Sequence, residues 1–416
     1  MTQTQTQTQT LLSVTSLGHR GDGIATTPDG PVFVAGALPG EDVNAHISNG
    51  RATEITIVKP SPDRIAPICQ HYDNCGGCST QHLAEAPYLE WKRELVIRAF
   101  ADRGIETKVA PVVPCEAQSR RRAVFTAARA GSTILLGYHE KASHRMVNIS
   151  ECPVLVPEII AGLTGLRRLA FELMPKKGEL RINVLSTTNG LDVAFEQADR
   201  KYEARFARLS QLAVELNLAR LTINGETLLE ARAPSLDMGG LLVSPPPAGF
   251  TQATLQAEEA LCNLVLRGLG KPKKVADLFA GSGTFALRIA RGASVHAVES
   301  NAPALKSLDK ALRVPRGLKQ VTIERRDLFR RPIMAADLEK FDAVVFDPPR
   351  AGAQAQVEQI ALSKVPYVVA VSCNPATLAR DLRILIDGGY TLQTVTPVDQ
   401  FLFSPHIECV ATLKRE

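Results

Sequence analysis

From Gln256 onward, apolar runs alternate with amphipathic stretches along the chain. The apolar runs have the length and β-branched composition of strands that are buried on both faces. This alternation is typical of a doubly wound parallel α/β sheet, which we predict for a C-terminal domain over residues 246–416. One predicted strand begins at residue 275, and the later ones cover residues 295–299, 321–324, 341–346, 367–371 and 409–413.

The first sixty residues follow a different pattern, in which short alternating runs are separated by glycine, proline and aspartate. We predict a small closed β-barrel over residues 11–60, because such runs and turns are typical of one. Its predicted strands cover residues 11–16, 31–34, 42–47 and 53–58. The Thr/Gln repeat within residues 1–10 has no apolar face to bury, and we predict a disordered tail there.

Residues 61–245 mix helical and extended patterns, and we predict a central α+β region followed by a proline-rich linker. Its predicted elements are helices over residues 85–103 and 198–216, a strand over residues 123–128, and a hairpin of residues 180–186 and 191–195. Three consecutive arginines, Arg120, Arg121 and Arg122, precede that strand. Such a cluster is typical of solvated surface or of a contact to phosphate, and both interpretations stay open.

Composition describes an ordinary soluble protein, with 45% hydrophobic and 22% charged residues. The net charge of +5 permits a polyanionic partner without establishing one. No apolar run reaches about 18 residues and no secretion leader is visible, so we expect a cytoplasmic protein with no membrane span. Eight cysteines in a reducing compartment predict free thiols and metal ligands rather than disulfides.

Three of these cysteines lie close together in a glycine-rich segment, in the order Cys69, Cys75 and Cys78. Their thiolates can reach one centre, and soft thiolate ligands suit an iron–sulfur cluster or zinc. A fourth ligand is required, and Cys152 is the best candidate. The alternative is a set of unligated thiols. We predict a metal centre, and the ligand set alone does not decide between iron–sulfur and zinc.

The strand that begins at residue 275 runs into a glycine turn, where Gly281 and Gly283 let the backbone approach a ligand closely. The next strand ends in Glu299, a carboxylate suited to bind a ribose diol. A nicotinamide dinucleotide and S-adenosylmethionine both carry such a diol, but the turn lacks the third glycine of the dinucleotide fingerprint. The sequence DLFAGSGTF resembles motif I of class I methyltransferases, and Asp327 follows the next strand, where that fold places an acid that contacts adenine. N-caps and surface charges are the alternatives for the two acids.

A further predicted strand ends at Asp347, which opens the sequence DPPR. DPP at a strand end resembles the substrate-facing loop of nucleic-acid methyltransferases. Enzymes of the DPPY type stack a flipped base on their aromatic residue, whereas this chain has Arg350. The RNA cytosine-C5 enzymes place a cysteine beside the proline, and this chain has none there. The loop therefore differs from both classes.

A single thiol, Cys373, lies between the predicted strand of residues 367–371 and a predicted helix over residues 377–385. The carboxyl ends of parallel strands form the crevice in which such sheets bind ligands, so this thiol is a candidate nucleophile. The alternative is a small buried hydrophobic side chain. The neighbouring motifs favour the nucleophile.

S-adenosylmethionine together with a nucleophilic cysteine indicates carbon methylation of a pyrimidine. C5 of uracil is too weak a nucleophile to take a methyl group directly, but a thiolate that adds at C6 turns the ring into an enolate. A base must then remove the C5 proton so that the thiol can leave. Glu408, before the last predicted strand, is the candidate base, and His406 is the alternative.

The sequences VSCNPATLARD, DLFAGSGTF, DPPRAG and HIE together resemble the RNA uracil-C5 methyltransferase family, over nearly the whole chain beyond Thr10. GHRGDGIA followed by VFVAGALPGEDV resembles a TRAM domain, an OB-like module of RNA-modifying enzymes. With the cysteine quartet, this makes the chain similar to the 23S ribosomal RNA branch. The resemblance implies Cys373 as nucleophile and Glu408 as proton acceptor. It implies a [4Fe-4S] cluster on Cys69, Cys75, Cys78 and Cys152, and an S-adenosylmethionine site formed by Gln252, Phe279, Thr284, Glu299, Asp327 and Asp347.

Two positions depart from the family pattern. Thr284 stands where several relatives have asparagine, which gives a shorter hydrogen-bonding group to the cofactor site. The loop that leads to the candidate base, residues 401–405, is more apolar than in relatives, and we expect this to affect the choice of substrate.

The leading prediction is methylation of C5 of a uridine in 23S ribosomal RNA. A transfer RNA uridine is the runner-up, since the tRNA enzymes typical of bacteria resemble only the catalytic part and lack the cluster. The alternative from another functional class is an RNA-binding or folding factor without catalysis. The intact Cys373 and Glu408 favour an enzyme. We expect RNA as the partner, no obligate protein partner and a monomer.

Overall fold

The computed structural model describes residues 9–314 and 317–415. Most of the predicted tail, residues 1–10, lies outside these residues, and Thr10 is the first residue of a strand. The N-terminal strands are β1 (Thr10–Leu17), β2 (Gly23–Thr27), β3 (Gly30–Val34), β4 (Asp42–Ser48) and β5 (Arg51–Lys59). They form a closed barrel in the order β1-β2-β3-β5-β4, which confirms the predicted barrel architecture. Strand β2 was not predicted, because the sequence GIATT carries little apolar patterning.

The central region contains a seven-stranded sheet among the described residues, with the order β12-β11-β10-β9-β6-β7-β8. Its elements, with the helix that precedes it, are α1 (Glu85–Ala101), β6 (Arg122–Ala130), β7 (Thr133–His139), β8 (Met146–Asn148), α2 (Pro157–Leu173), β9 (Leu180–Thr187), β10 (Gly190–Glu196), α3 (Phe206–Glu215), β11 (Arg220–Ile223) and β12 (Glu226–Glu230). A small two-stranded sheet follows, formed by β13 (Leu236–Asp237) and β14 (Leu242–Val243).

The helix predicted over residues 198–216 is wrong in its first part. A 3₁₀ turn, Tyr202–Arg205, comes before α3. The Asp199 side chain accepts a hydrogen bond from the backbone N–H of Lys201 at 3.2 Å. A local side-chain bond of this kind competes with helical hydrogen bonding, which explains the late start of α3.

The C-terminal region is a Rossmann-like α/β sheet, as predicted, with the order β17-β16-β15-β18-β19-β21-β20. The prediction of an all-parallel sheet is wrong for its last strand, because β21 pairs antiparallel with β19 and β20. Its elements are α4 (Leu255–Leu269), β15 (Lys274–Leu278), α5 (Ala286–Ile289), β16 (Ser294–Glu299), α6 (Ala302–Leu312), β17 (Val321–Arg325), α7 (Ala335–Leu338), β18 (Ala343–Phe346), α8 (Gln354–Leu362), β19 (Tyr367–Ser372), α9 (Pro375–Asp387), β20 (Tyr390–Val398) and β21 (Glu408–Arg415). Within the described ranges, no helix combines the length and the apolar character that crossing a bilayer requires.

The order of the strands reverses at β15, which pairs in parallel with β16 on one side and with β18 on the other. In open α/β sheets, ligands bind beside the carboxyl ends of the strands at such a reversal. Phe279 follows β15, Asp347 follows β18, and Cys373 follows β19. The fold therefore brings these three residues to one edge of the sheet.

Helix α1 lies before the central sheet in the sequence but packs against α9 and β20 of the C-terminal sheet. Val96 and Phe100 of α1 lie in the large buried cluster of that sheet. Lys92 is fully buried, and its Nζ donates to Oδ1 of Asp399 at 2.7 Å. The hydroxyl of Tyr88 donates to the other oxygen of that carboxylate at 2.5 Å. These bonds hold α1 against the segment that joins β20 to β21.

Replacement of Lys92 by methionine leaves the Asp399 carboxylate buried without its cation. We expect Lys92→Met to lower the free energy of unfolding by about 3 kcal/mol. Urea denaturation followed by the fluorescence of Trp91, the single tryptophan of the chain, measures this change. The double variant Lys92→Met/Asp399→Asn removes both charges, and we expect it to recover part of the loss.

An exposed pair provides the control for this prediction. Arg313 lies four residues after Asp309 on the surface, so Arg313→Ala should change the stability little. An equal loss of stability in the single and the double variant would contradict the explanation by an unpaired buried charge.

Candidate active site

The candidate nucleophile and the candidate base lie on neighbouring antiparallel strands. Ser372, the last residue of β19, pairs with Cys409 of β21. Cys373 and Glu408 are the next positions along the two strands, so they face each other at the carboxyl edge of the sheet. Asn374 ends the extended segment, because its side chain accepts from the N–H of Ala376 at 3.2 Å and caps α9.

The Cys373 thiol is partly exposed and surrounded by charged groups. Burial, followed by the negative charges of Glu408 and Asp347, raises the pKa of Cys373 to about 12, while Arg350 opposes this shift. The thiol therefore stays protonated in the free protein at neutral pH. A nucleophile in this setting requires a proton acceptor or a change of surroundings when substrate binds.

Glu408 is buried at the start of β21. Burial and then the negative charge of Asp347 raise the pKa of Glu408 well above its usual range, and a hydrogen bond from Gln400 acts in the opposite direction. A carboxyl group with a raised pKa is suited to accept a proton near neutral pH.

His406, the alternative base, contacts Arg350. The Arg350 guanidinium donates to its Nδ1 at 3.2 Å. Burial and the positive charges of Arg350 and Lys92 lower the pKa of His406. Its position next to a guanidinium, rather than in strand register with Cys373, favours Glu408 as the base.

The turn after β15 has the backbone conformation that its two glycines predict. Gly281 and Gly283 have φ angles of +55° and +98°, a region that favours glycine. A Cβ at position 283 would lie 2.5 Å from Cδ1 of Leu308, so a side chain there has no room. The N–H of Gly281 donates to Oε2 of Glu299 at 3.1 Å. The turn and the acid of the next strand therefore form one unit.

Glu299 also accepts hydrogen bonds from the backbone N–H groups of Ser300 and Asn301, at 2.7 and 2.8 Å. These contacts agree in part with the alternative interpretation of Glu299 as a residue that caps the following turn. Both of these bonds, and a third from the Ser300 hydroxyl at 3.1 Å, go to Oε1. Oε2 accepts only from Gly281 among the described residues, so this oxygen retains an acceptor position for a ribose hydroxyl.

The other predicted cofactor residues lie around this edge. Phe279 has a φ of +61°, unusual for an aromatic residue, and its ring centroid lies 5.5 Å from that of Phe329. Thr284 lies at the end of the glycine turn, just before α5. Asp327 follows β17, and its Oδ1 accepts from the N–H of Phe329 at 3.0 Å. Gln252 donates to Oδ2 of Asp347 at 3.1 Å, which ties the segment before α4 to the DPPR loop.

Asp277 in β15 is an acid to which the sequence interpretation gave no role. It is fully buried, and neither carboxylate oxygen has a hydrogen-bond partner among the described residues. Burial, followed by the charges of Asp347 and Glu299, raises its pKa well above the usual range. The sequence signal for Asp277 was an acid within an otherwise apolar run of β15. Burial of an unpaired acid costs free energy, so such a residue is a candidate for a functional role.

The four predicted ligand cysteines lie around one cavity of about 300 Å³. Burial, assisted by the neighbouring thiols, raises the pKa of Cys78 to about 12, and burial likewise raises the pKa of Cys69 and Cys152. The backbone N–H of Gly77 donates to the Cys75 sulfur at 3.4 Å. Across the described ranges, no group of three or more His, Cys, Asp or Glu side chains is arranged to hold a metal ion. The predicted metal centre therefore stays a prediction.

The three consecutive arginines have different surroundings. Arg121 is buried and forms an ion pair with Glu258, so it is a structural residue. The guanidinium of Arg120 lies 5.9 Å from the ring centroid of Phe401, and that of Arg122 lies 5.2 Å from the ring centroid of Phe250. The solvated-surface interpretation is wrong for Arg121.

Comparisons with known proteins agree with this site. A family model described as tRNA (uracil-5-)-methyltransferase matches residues 248–416. An uncharacterized RNA methyltransferase of Brucella suis biovar 1 is 48% identical over 404 residues, which cover 97% of this chain and 97% of that protein. The 23S rRNA (uracil(1939)-C(5))-methyltransferase of Aeromonas hydrophila is 32% identical over 422 residues, which cover 97% of this chain and 96% of that protein.

Among solved structures, the chain is similar to Pyrococcus abyssi tRNA (uracil-54, C5)-methyltransferase in complex with S-adenosyl-L-homocysteine. The TM-score is 0.77 at 23% identity, over 97% of this chain and 99% of that chain, and this likeness shows the fold. The chain belongs to the RNA uracil-C5 methyltransferase family, as its motifs predict. It is an S-adenosylmethionine-dependent RNA methyltransferase.

The charges around Cys373 predict how fast its thiol reacts. Alkylation by iodoacetamide should be slow at pH 7 and faster toward pH 10, because the pKa near 12 keeps the thiolate scarce. At pH 9, Glu408→Gln should accelerate and Arg350→Gln should slow the reaction by roughly threefold to tenfold, because the two charges act in opposite directions. Mass spectrometry of the Cys373 peptide measures the rates.

Cys409 provides the internal reference for this experiment, because it is fully buried on the adjacent strand and should stay unmodified. Equal rates in the wild type and both variants would mean that neither charge acts on the thiol.

Proposed function

We propose that this protein transfers a methyl group from S-adenosylmethionine to C5 of a uridine in 23S ribosomal RNA. The observation that carries the proposal is the strand register that brings Cys373 opposite Glu408, beside Asp347. A thiol and a carboxyl group in this arrangement are the two groups that C5 methylation of uracil requires.

In the proposed reaction, the Cys373 thiol loses its proton to solvent and the resulting thiolate adds to C6 of the uracil. The electron pair of the C5–C6 double bond moves to form an enolate. S-adenosylmethionine supplies the methyl group when bound. C5 attacks the methyl carbon, whose bond to sulfur breaks. Glu408 then takes the proton from C5, the C5–C6 double bond forms again, and the thiolate leaves C6.

The cofactor would be held by the predicted set of residues around the glycine turn. Glu299 suits the ribose diol because it ends β16 and retains acceptor capacity. Asp327, just after β17, would contact the adenine, and Phe279, just after β15, would contribute its ring to the cofactor site. Gln252 and Asp347 are linked to each other beside Cys373 and suit the methionine end. Thr284 would contribute its hydroxyl.

Ribosomal RNA is favoured by the Aeromonas relative, whose name specifies 23S rRNA and whose sequence aligns with 97% of this chain. The closed N-terminal barrel, which we propose to be a TRAM domain, further supports this choice. A transfer RNA uridine is the second candidate, because the family model and the similar crystal structure both refer to tRNA. We also propose that the protein acts in the cytoplasm, which suits its eight free cysteines.

Unmodified 23S rRNA and tRNA transcripts separate the two substrates. With labelled S-adenosylmethionine, we expect 5-methyluridine in 23S rRNA and none in tRNA, as measured by nucleoside mass spectrometry. An RNA fragment that carries 5-fluorouridine should give a methylated covalent adduct on the Cys373 peptide, because fluorine cannot leave as a proton does. Cys373→Ser should abolish both product and adduct.

Cys115→Ser is the matched control, because Cys115 is a buried thiol that hydrogen bonds with Thr254 outside the reaction. It should retain both activities. Methylation of tRNA alone would overturn the ribosomal assignment. RNA binding without any adduct would favour the non-catalytic RNA-binding factor.

We also propose a [4Fe-4S] cluster on Cys69, Cys75, Cys78 and Cys152. The donor set fits by its chemistry, because four thiols surround one cavity and Gly77 offers a backbone donor to sulfur. Thiolate ligands alone suit iron–sulfur or zinc, and the resemblance to the 23S ribosomal RNA branch favours the cluster. Bound cysteines would tie the segment 69–78 to Cys152, and we propose a structural role.

Anaerobic purification tests the cluster. We expect about four iron atoms per chain and visible absorbance in the wild type, and loss of both in Cys152→Ala. Cys262→Ala should keep the iron, because Cys262 is buried in α4 away from the cavity. Stoichiometric zinc without visible absorbance would overturn the iron–sulfur assignment.

A further inference from the structure

Gln400 is a buried side chain that lies between the candidate base and the predicted cofactor residues. It belongs to the segment between β20 and β21, and it is 2% exposed. Its Nε2 donates to Oε2 of Glu408 at 2.5 Å and to Oε1 of Gln252 at 2.9 Å. Its Oε1 accepts from the backbone N–H of Ala253 at 3.0 Å. Both amide hydrogens and the amide oxygen are therefore used.

The N–H of Ala253 decides which way the Gln400 amide points. Because this N–H requires an acceptor, the amide oxygen lies on its side and the NH₂ group faces the carboxyl group of Glu408. The opposite orientation would place two oxygens against each other and would leave Ala253 without a partner. The sequence thus provides Glu408 with a donor of fixed direction.

This donor leaves the two oxygens of Glu408 different from each other. Oε2 is bound by Gln400, whereas Oε1 accepts no hydrogen bond from any side chain or backbone group in the described ranges. Oε1 is therefore the oxygen available for a proton from the substrate. The bonds from Asp347 through Gln252 and Gln400 to Glu408 form one continuous chain.

The backbone of Gln400 is itself held in place. The preceding residue, Asp399, accepts hydrogen bonds from Lys92 and Tyr88, and all three side chains are buried. The N–H of Asp399 donates to the carbonyl of Val113 at 2.9 Å. Gln400 therefore projects from an anchored point, which a positioning group needs.

We propose that Gln400 is a positioning residue for proton removal from C5, and that it acts by holding Glu408 in the orientation in which one carboxylate oxygen reaches the substrate. This inference rests on the proposed function and assigns a residue to its last step. Burial and Asp347 raise the pKa of Glu408, while the bond from Gln400 acts in the opposite direction. The amide therefore also helps to keep the carboxyl group ionised.

The order of bond changes predicts which step of the reaction the loss of Gln400 would slow. Before proton removal, Sγ of Cys373 is bonded to C6, and C5 carries both its hydrogen and the new methyl group. Proton transfer to Glu408 breaks the C5–H bond, its electron pair forms the C5–C6 double bond, and the C–S bond breaks to release the thiolate. Loss of the Gln400 amide should slow release without slowing the preceding methyl transfer.

Gln400→Met tests this prediction, because methionine has a similar length and no strong donor. With unmodified RNA and S-adenosylmethionine, we expect multiple-turnover formation of 5-methyluridine to fall roughly tenfold to a hundredfold. We expect methylated RNA to accumulate on Cys373 as a complex that survives denaturation, seen by gel electrophoresis and mass spectrometry. Adduct formation with 5-fluorouridine RNA, which needs no proton removal, should keep its wild-type rate.

Two further variants sharpen the test. Gln393→Met is the matched control, because Gln393 is exposed on β20, and it should behave as the wild type. Gln400→Met/Glu408→Gln should be no slower than Glu408→Gln alone, because both changes affect one step.

Several results would overturn the inference. Equal slowing of 5-fluorouridine adduct formation and of turnover would indicate a merely structural role for Gln400. A raised KM for S-adenosylmethionine with unchanged turnover would indicate that Gln400 serves the cofactor. Full turnover in Gln400→Met would remove the role altogether. If the wild type forms no adduct with 5-fluorouridine RNA, the proposed function fails first, and this outcome is distinct from the other three.

Discussion

The buried ammonium of Lys92 determines how the loop between β20 and β21 is held. It donates to Asp399, to the carbonyl of Phe401 at 3.3 Å and to the carbonyl of His406. All three N–H groups of the ammonium are therefore used within a segment of eight residues. A charge this deeply buried is tolerated only with complete pairing, so the loop has little freedom to adopt another path. Glu408 lies two residues after this segment.

The cavity with the four cysteines shares a wall with the same loop. Phe401 and His406 line the cavity, and the carbonyl of Phe403 accepts hydrogen bonds from the N–H groups of Ser79 and Thr80 at 2.7 and 3.3 Å. The residues that follow Cys78 are thus bonded to the segment that leads to Glu408. Only a few residues of this loop therefore separate the cavity from the candidate base.

The sequence predicted the C-terminal sheet and its edge because both depend on local signals. Strands buried on both faces read as continuous apolar runs, and the polar residues that end them, such as Asp347 and Cys373, stand out. Strand β20 was missed because Gln393 and Thr394 interrupt its alternation, at the point where its register against β21 shifts. The packing of α1 on this sheet, and the contact of Gln400 with Glu408, depend on residues far apart in sequence. The hydrophobic periodicity of a sequence does not predict contacts between such distant residues.

The antiparallel insertion of β21 between β19 and β20 determines how far apart the backbones of Cys373 and Glu408 lie. The distance between the two backbones that carry the thiol and the carboxyl group follows from the spacing of hydrogen-bonded strands, about 4.7–4.9 Å, which hardly varies among proteins. The barrel and the central sheet contribute no strand to this pairing. The backbone distance between the two reacting groups is thereby a property of the C-terminal sheet alone.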